Sequence, residues 1–231
     1  MPPTPPSLAQ KKQPAQRRAT ETFERILDVT ASTLGDVGVE RLSTNLVCER
    51  AGLTPPALYR YFPNKYALLG ELGQRLMQAQ NECIARWMSV DVYRGPDEDL
   101  ERAIEGVLLE TYAVTSQTTG GVWVMRALRA VPALQQVRLA SHAAVTKAQA
   151  ELLQQSFPRV DCAELQLVSR IVVDLVYAAV EMLCEEPMDA KAVARIVAGM
   201  LASHRARLGA LKPAAGEPSP PRAARRAAAR R

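Results

Sequence analysis

The chain has few of the residues that enzymes use as nucleophiles, general bases or metal ligands. It contains two histidines, His142 and His204, far apart, and none of the HExxH, GxSxG, P-loop or GxGxxG patterns. Its four cysteines are scattered and form no CxxC pair, which indicates neither a metal knuckle nor a disulfide framework. We therefore expect no enzyme activity, no cofactor, no metal site, and cysteines that are buried as small hydrophobic residues.

Long apolar segments are also missing from the sequence. No run of about 18 apolar residues occurs, which is the length that a membrane-spanning helix needs. The N-terminus lacks the continuous apolar segment of a signal peptide. We expect a cytoplasmic protein with no membrane partner.

Positive charge is concentrated at the two ends of the chain. Residues 1–18 hold four basic side chains and no acidic one, and residues 205–231 hold eight basic and one acidic. We expect a disordered basic arm over residues 1–18 and a disordered Pro/Ala/Arg tail over residues 210–231. Both ends could contact phosphate, so one alternative is a largely non-specific DNA-binding or compacting protein driven by these termini.

Alternating β-type runs are absent between the two ends, and apolar residues recur there at spacings of three and four. This pattern predicts an all-α protein. The first helix should span residues 20–37, the second should begin at Ser43 or Thr44 and end at Gly52, and the third should lie between Gly52 and Pro63. Six further helices are predicted at residues 64–88, 97–117, 121–131, 133–156, 162–185 and 189–209.

The three short helices form a predicted helix-turn-helix domain over residues 19–65. Its third helix lies in the first part of the stretch LTPPALYRYFPNKYALL, residues 53–69. Thr54 precedes a proline and is therefore steered towards the extended conformation of an N-cap, with Pro55 at the first helical position, where its missing N–H costs nothing. Two prolines remove backbone donors that could bind phosphate, so side chains should make more of the DNA contacts.

The segment AGLTPPALYRYFPNKYALL resembles the signature of the tetracycline-repressor-like (TetR) family of transcriptional regulators. The preceding ILDVTASTLGDVGVERLSTNLVCERAG resembles the first two helices of that family, and together they cover residues 17–69. The sequence departs from the pattern at Gly35, where a bulky aromatic is usual, and at Pro55, where a polar base-reading residue is common. The resemblance implies a DNA-binding regulator, more often a repressor than an activator.

Several residues of the helix-turn-helix domain are predicted to contact double-stranded DNA. Arg60 could pair with a guanine edge, Asn45 with adenine, and the Ala57 methyl group with a thymine methyl group. The tyrosine hydroxyls and Lys65 are better suited to phosphate, although two tyrosines two positions apart cannot share one helix face, so one could simply pack. The full set of predicted DNA-binding residues is Arg17, Arg18, Asn45, Thr54, Ala57, Tyr59, Arg60, Tyr61 and Lys65.

Residues 66–209 are predicted to form a second, helical domain. The family resemblance implies that its six helices enclose a cavity for a small-molecule effector and that the last two pair with a second subunit in a homodimer. Bulky aromatic and thioether side chains are the candidates for the cavity lining, each with ordinary core packing as the alternative; these are Met77, Trp87, Tyr112, Trp123, Met125 and Tyr177. Arg126 and His142 are candidates to anchor a polar end of the ligand.

The helix over residues 162–185 is apolar on two adjacent strips, so it needs cover on two sides. We expect Leu167, Ile171, Leu175 and Ala178 to face inward. The second strip and the small side chains of the last helix are the predicted dimer interface, which consists of Val168, Val172, Val176, Ala194, Val197, Ala198 and Leu201.

Overall fold

The computed structural model describes residues 6–8 and 17–208. That part of the chain contains ten α-helices and no strand, which confirms the predicted all-α class. The helices are α1 (Arg17–Arg41), α2 (Thr44–Ala51), α3 (Pro55–Tyr59), α4 (Lys65–Trp87), α5 (Val90–Arg94), α6 (Asp97–Gln117), α7 (Gly121–Ala130), α8 (Gln135–Ser156), α9 (Cys162–Glu185) and α10 (Ala190–Leu208). A 3-10 turn at Pro132–Leu134 precedes α8.

Most helix boundaries lie within a few residues of those predicted from the sequence, and α6 and α9 begin and end at the predicted residues. The short helix α5 was not predicted, because five residues carry no periodic pattern. Its local start signal is nevertheless present, since the Ser89 side chain accepts a hydrogen bond from the Val92 amide. Residues 17 and 18 lie in α1, so the helix begins inside the predicted disordered arm.

Helices α1, α2 and α3 share an apolar core with the first turns of α4. Ile26, Val47, Leu58 and Phe62 are fully buried there. Phe62 stacks on Phe23 of α1, with the ring centroids 5.0 Å apart. This core holds α3, which is too short to be stable alone, in a fixed orientation.

Helix α4 runs from this N-terminal domain into the rest of the molecule and lies close to α7. A Cβ atom added at Gly73 would lie 2.6 Å from Cδ2 of Leu128. The two helices are therefore too close at this point for any residue larger than glycine unless Leu128 moves. The turn before α7 contacts α1 equally closely. Gly120 there has a left-handed φ of 68°, and a Cβ atom at this position would overlap the carbonyl oxygen of Ala31.

Residues 6–8 pack against the start of α4. Leu8 and Leu134 both lie over Gly70, and the Asn64 side-chain Nδ2 donates to the carbonyl oxygen of Ser7 at 3.1 Å. The Oδ1 atom of the same Asn64 side chain accepts from the Ala67 amide at 3.0 Å, which makes Asn64 the N-cap of α4. One side chain therefore starts α4 and binds the N-terminal segment.

The orientation of α9 is the reverse of the prediction. Leu167, Ile171 and Leu175 are 61%, 50% and 45% exposed, whereas the strip that contains Val168, Val172 and Val176 faces inward. The reason is that α6 and α8 cover the valine strip, a choice that periodicity alone cannot make between two apolar strips. In α10, Ala194 and Ala198 are fully buried against α6, and Val197 and Leu201 pack in the core.

Three further features concern membrane-spanning helices, metal ligands and cysteines. Among the described residues no helix is long and apolar enough to span a bilayer. No group of three His, Cys, Asp or Glu side chains within that part of the chain is placed to hold a metal ion. Cys48 and Cys83 are buried as predicted, but Cys162 is exposed and Cys184 is only half-buried.

Candidate nucleic-acid interface and ligand cavity

Helices α2 and α3 form the helix-turn-helix that the glycine spacing predicts. Ser43 caps α2 by accepting from the Leu46 amide at 3.2 Å. Gly52 ends α2 in the left-handed conformation with φ 61°, and its amide donates to the carbonyl oxygens of Cys48 and Glu49. The chain can therefore reverse within three residues and begin α3 at Pro55.

The start of α3 differs from the prediction in one respect. Thr54 has the extended conformation of an N-cap, with φ −79° and ψ 148°, but its side chain caps no amide. The Ala57 amide donates instead to the backbone carbonyl oxygen of Thr54 at 2.9 Å. Thr54 is exposed at the N-terminal tip of α3.

The predicted DNA-reading side chains lie on the outside of this motif. Asn45, Thr54 and Arg60 are exposed, Tyr59 is 39% exposed, and Ala57 is half-buried. The hydroxyl of Tyr59 lies 3.0 Å from Oγ1 of Thr44, which brings α3 against the start of α2 beside Asn45.

Two residues predicted to bind phosphate have structural contacts instead. Tyr61 is only 6% exposed and packs edge-on against Phe23, with the ring centroids 5.9 Å apart, so it is the tyrosine that packs. The Lys65 ammonium group donates to the carbonyl oxygens of Val39 and Leu42 at 3.2 and 3.1 Å. Lys65 thus stabilises the end of α1, where carbonyl groups lack helical partners.

The structure describes only part of the two basic ends of the chain. Arg17 begins α1, and the Arg18 side chain is exposed one residue further on. The predicted tail at residues 210–231 and most of the predicted arm, at residues 1–5 and 9–16, lie outside the described residues.

A cavity of about 70 Å³ lies between α4, α5, α6, α8, α9 and α10. Its lining is largely aliphatic and comes from residues that are far apart in the chain. Ile84 and Met88 at the end of α4 contribute to it, as do Val168, Val172 and Val176 of α9. These three valines therefore line a cavity rather than a subunit interface.

None of the six predicted ligand-contacting residues lines this cavity. Met77 is buried in the core, Tyr112 packs near α10, and Met125 lines a separate small pocket. The others also have contacts elsewhere: Trp87 packs over Gly106 and donates to Glu110, Trp123 packs on Gly38, and Tyr177 stacks on His142. Residue size was a poor guide, because large side chains fill the core between helices.

Polar side chains line one part of the cavity, and the sequence analysis did not predict them. The Tyr93 hydroxyl donates to Oε1 of Gln149 at 2.8 Å, and Ser169 lines the same space. Burial raises the pKa of Tyr93, so the phenol stays neutral at physiological pH. The only available signal was Ser169 in an otherwise apolar segment, and Tyr93 comes from the helix that was not predicted.

The Arg205 guanidinium group at the edge of the cavity is already fully engaged. It donates to the carbonyl oxygens of Tyr93 and Gly95 at 3.0 and 2.7 Å and pairs with the Asp97 carboxylate. His204 also contacts the cavity, but its side chain lies in the exposed last turns of α10. The cavity interior therefore contains no unpaired charge from these groups.

The two suggested ligand anchors lie elsewhere. Arg126 stacks over Trp123, 4.9 Å from the ring centroid. His142 is buried on α8, where its Nδ1 atom lies 2.9 Å from an Asp174 carboxylate oxygen. Burial lowers the pKa of His142 and outweighs the opposing effect of Asp174, and the nearby Arg138 and Arg170 lower the pKa further.

The N-terminal domain matches known proteins in sequence. Residues 26–72 match the family model of bacterial regulatory proteins of the tetR family. Tetracycline repressor protein class C from Escherichia coli is 41% identical over 54 residues, which are 23% of this chain and 25% of the repressor. That match spans a quarter of the relative, and the segment that matches the family model contains the helix-turn-helix described above.

Solved structures resemble the whole fold at lower identity. The SmeT–triclosan complex has a TM-score of 0.62 and 19% identity, covering 87% of this chain and 99% of that one. The fatty acid degradation regulator FadR from Bacillus halodurans has a TM-score of 0.59 and 16% identity, covering 83% and 97%. A TetR-family regulator from Streptomyces coelicolor has a TM-score of 0.54 and 22% identity, covering 81% and 99%. The N-terminal domain thus matches the model of the bacterial regulatory proteins of the tetR family over residues 26–72, and the whole chain shares the fold of these solved structures.

Proposed function

We propose that the protein is a dimeric transcriptional repressor that binds a palindromic operator and is released by a small apolar or amphipathic molecule. The observation that carries the proposal is the helix-turn-helix, in which Asn45 of α2 and the two residues that flank α3, Thr54 and Arg60, are exposed. Arg60 and Asn45 have the donor geometry for guanine and adenine edges, and Thr54 and Tyr59 suit phosphate. Tyr61 and Lys65 are left out of the proposed DNA contacts because both groups have partners inside the protein.

Dimerisation is supported by an exposed apolar stripe on α9 and α10. Its larger members are Leu167, Ile171, Leu175, Met182, Ile196 and Met200, each at least 36% exposed. The α9 members are four, four and seven residues apart, so they lie on one face of the helix. A contiguous exposed apolar face of this kind marks a protein contact, and a twofold pairing would present two copies of α3 to the two halves of a palindrome.

Ligand release is supported by the path of α4. Ile84 and Met88 at one end of α4 line the cavity, while Ala67 and Leu68 at its other end are buried in the core that holds α3. A ligand that binds one orientation of α4 better than another would shift the spacing between the two recognition helices. One structure of the same fold is a complex with triclosan, which is consistent with a small apolar effector.

Selection from random duplex DNA at near-physiological salt tests the proposal. The full chain should enrich a palindrome. Arg60→Ala and Asn45→Ala should each lose preference at one base position, at a cost of roughly 1–3 kcal/mol for a bidentate contact. Glu49→Ala, on the exposed surface of α2 and acidic, is the control and should select the same sequence.

The alternative function, non-specific binding by the basic termini, gives a different result in the same experiment. A chain limited to residues 17–208 would then lose most of its affinity, and the full chain would enrich no sequence while its binding stayed strongly salt-dependent. An enriched palindrome that survives this truncation supports the repressor. Unchanged base preference in both Arg60→Ala and Asn45→Ala would remove these residues from the interface.

A further inference from the structure

The cavity lining includes a buried hydroxyl group, that of Ser169, which like those of Thr111 and Thr146 makes no hydrogen bond within the described residues. Thr30, Thr115 and Ser156 each donate to the carbonyl oxygen four residues earlier, as helical hydroxyls commonly do. The hydroxyl of Ser169 is buried, 1% exposed, and has no partner within the described part of the chain. A buried hydroxyl that lines a cavity without a partner is placed to bond with whatever enters.

Gln149 offers a second unpaired group at the same level. Its Oε1 atom is occupied by the Tyr93 hydroxyl, so its orientation is fixed, and its amide nitrogen makes no hydrogen bond to a described residue. Helices α8 and α9 are antiparallel, and His142 lies level with Asp174. Seven residues make about two helical turns, which places Gln149 level with residue 167 and beside Ser169. The amide nitrogen donates, and the serine hydroxyl can donate or accept.

The described lining of the cavity contains no buried charged group that lacks a partner. The one cationic group buried at its edge, the Arg205 guanidinium, already binds two carbonyl oxygens and Asp97. An anionic ligand would lose its hydration without gaining a counter-ion, which is costly in an aliphatic environment. Apart from Tyr93, Gln149, Ser169 and the exposed His204, the rest of the lining consists of Leu, Ile, Val and Met side chains, which favour an apolar body.

We propose that this cavity binds a small uncharged molecule with an apolar body and one oxygen acceptor, such as a phenol, alcohol or ester, and discriminates against carboxylates. The ligand oxygen lies between Gln149 and Ser169, and Tyr93 positions Gln149 without contacting the ligand. The inference rests on the proposed function in that it names the class of effector of the repressor. It concerns binding to the protein alone, so it is tested without DNA.

Titration calorimetry of the full chain with matched probe pairs tests the proposal. The neutral probes are 4-propylphenol and 1-hexanol, and their anionic counterparts are 4-propylbenzoate and hexanoate at neutral pH. The neutral member of each pair should bind at least about tenfold more tightly. Ser169→Ala and Gln149→Leu should each weaken binding of the neutral probes roughly three- to tenfold, the effect of one lost hydrogen bond.

A matched variant separates ligand contact from a general effect on the fold. Thr146→Val removes a buried, unpartnered hydroxyl from the same pair of helices, but Thr146 lines another pocket, so probe binding should be unchanged. Carboxylates that bind as tightly as the neutral probes, neutral binding that is unaffected by both cavity variants, or no binding of any probe at millimolar concentration would each overturn the inference. None of these results bears on DNA selection, and a chain that binds the neutral probes but selects no operator would overturn only the repressor.

Discussion

At the scale of single residues, the role of a side chain in this protein depends on which backbone groups lie within its reach. Lys65 and Arg60 are five residues apart and equally basic, yet only Arg60 is exposed without a partner in the described structure. The Lys65 ammonium group binds the carbonyl oxygens of Val39, in the last turn of α1, and Leu42, just after it, both more than twenty residues away in sequence. No local pattern predicts such a contact, because it depends on how α1 and α4 pack.

His142 gives a pH dependence that can be predicted at this scale. Burial lowers its pKa in the folded protein below its ordinary value of 6.5. The unfolded chain therefore takes up the proton first as the pH falls, so the stabilisation is complete above about pH 6.5 and is lost below it. We expect the midpoint temperature of thermal unfolding to decrease as the pH is lowered from about 7.5 to about 5.5.

A ring-preserving substitution isolates this histidine. His142→Phe keeps a ring on Tyr177, 4.2 Å from centroid to centroid in the native pair, but cannot titrate, so it should flatten the pH profile. His204→Gln removes the exposed histidine and should leave the slope as it is. A His142→Phe profile as steep as that of the native chain would assign the effect to other groups.

At the scale of helices, the sequence was sufficient to place most boundaries but not to orient α9. Helix caps and helix-breaking residues are local signals: Ser43 and Gly52 begin and end α2, and Asn64 begins α4. Both strips of α9 are apolar, so the choice of the inward strip depends on the shape of α6 and α8, which the pattern does not contain. As a consequence, the α9 residues of the predicted interface, Val168, Val172 and Val176, line the cavity instead.

Two glycines predict opposite effects of the same substitution on helix stability. A Cβ atom at Gly35 meets nothing within 4 Å, so Gly35→Ala should raise the free energy of unfolding by about 0.5–1 kcal/mol through helix propensity. Gly120 has φ 68° and no room beside Ala31, so Gly120→Ala should lower it by more than about 2 kcal/mol. Urea denaturation of both variants measures the difference. Equal effects would contradict the described turn between α6 and α7.

The exposed stripe of α9 gives a prediction about assembly. Ile171→Arg places a charge in the middle of the stripe and should convert the proposed dimer into a monomer, because an unpaired charge is costly in an apolar contact. Sedimentation velocity measures the oligomeric state, and operator affinity should fall with it. Gln166→Arg adds the same charge to an exposed position on another side of α9 and should remain dimeric. An Ile171→Arg dimer would exclude this stripe as the interface.

At the scale of the whole molecule, fold class and the DNA-reading motif were predictable, whereas the cavity was not. The helix-turn-helix depends on a short continuous segment, and its signals are all present in residues 43–69. The cavity is assembled from six helices between residues 84 and 205, and its polar groups come from positions with no shared motif. Such a site becomes visible only when the packing of the helices is known.

The close approach of α4 and α7 at Gly73 sets how far a movement at the cavity reaches the DNA-binding domain. Met88 lies fifteen residues beyond Gly73 and Lys65 eight residues before it, which are distances of about 22 and 12 Å along a helix. If the proposed ligand release turned α4 as a rigid body about this contact, α4 would act as an unequal lever with its fulcrum at Gly73. A displacement at the cavity end would then reach α3 reversed in direction and reduced by roughly half.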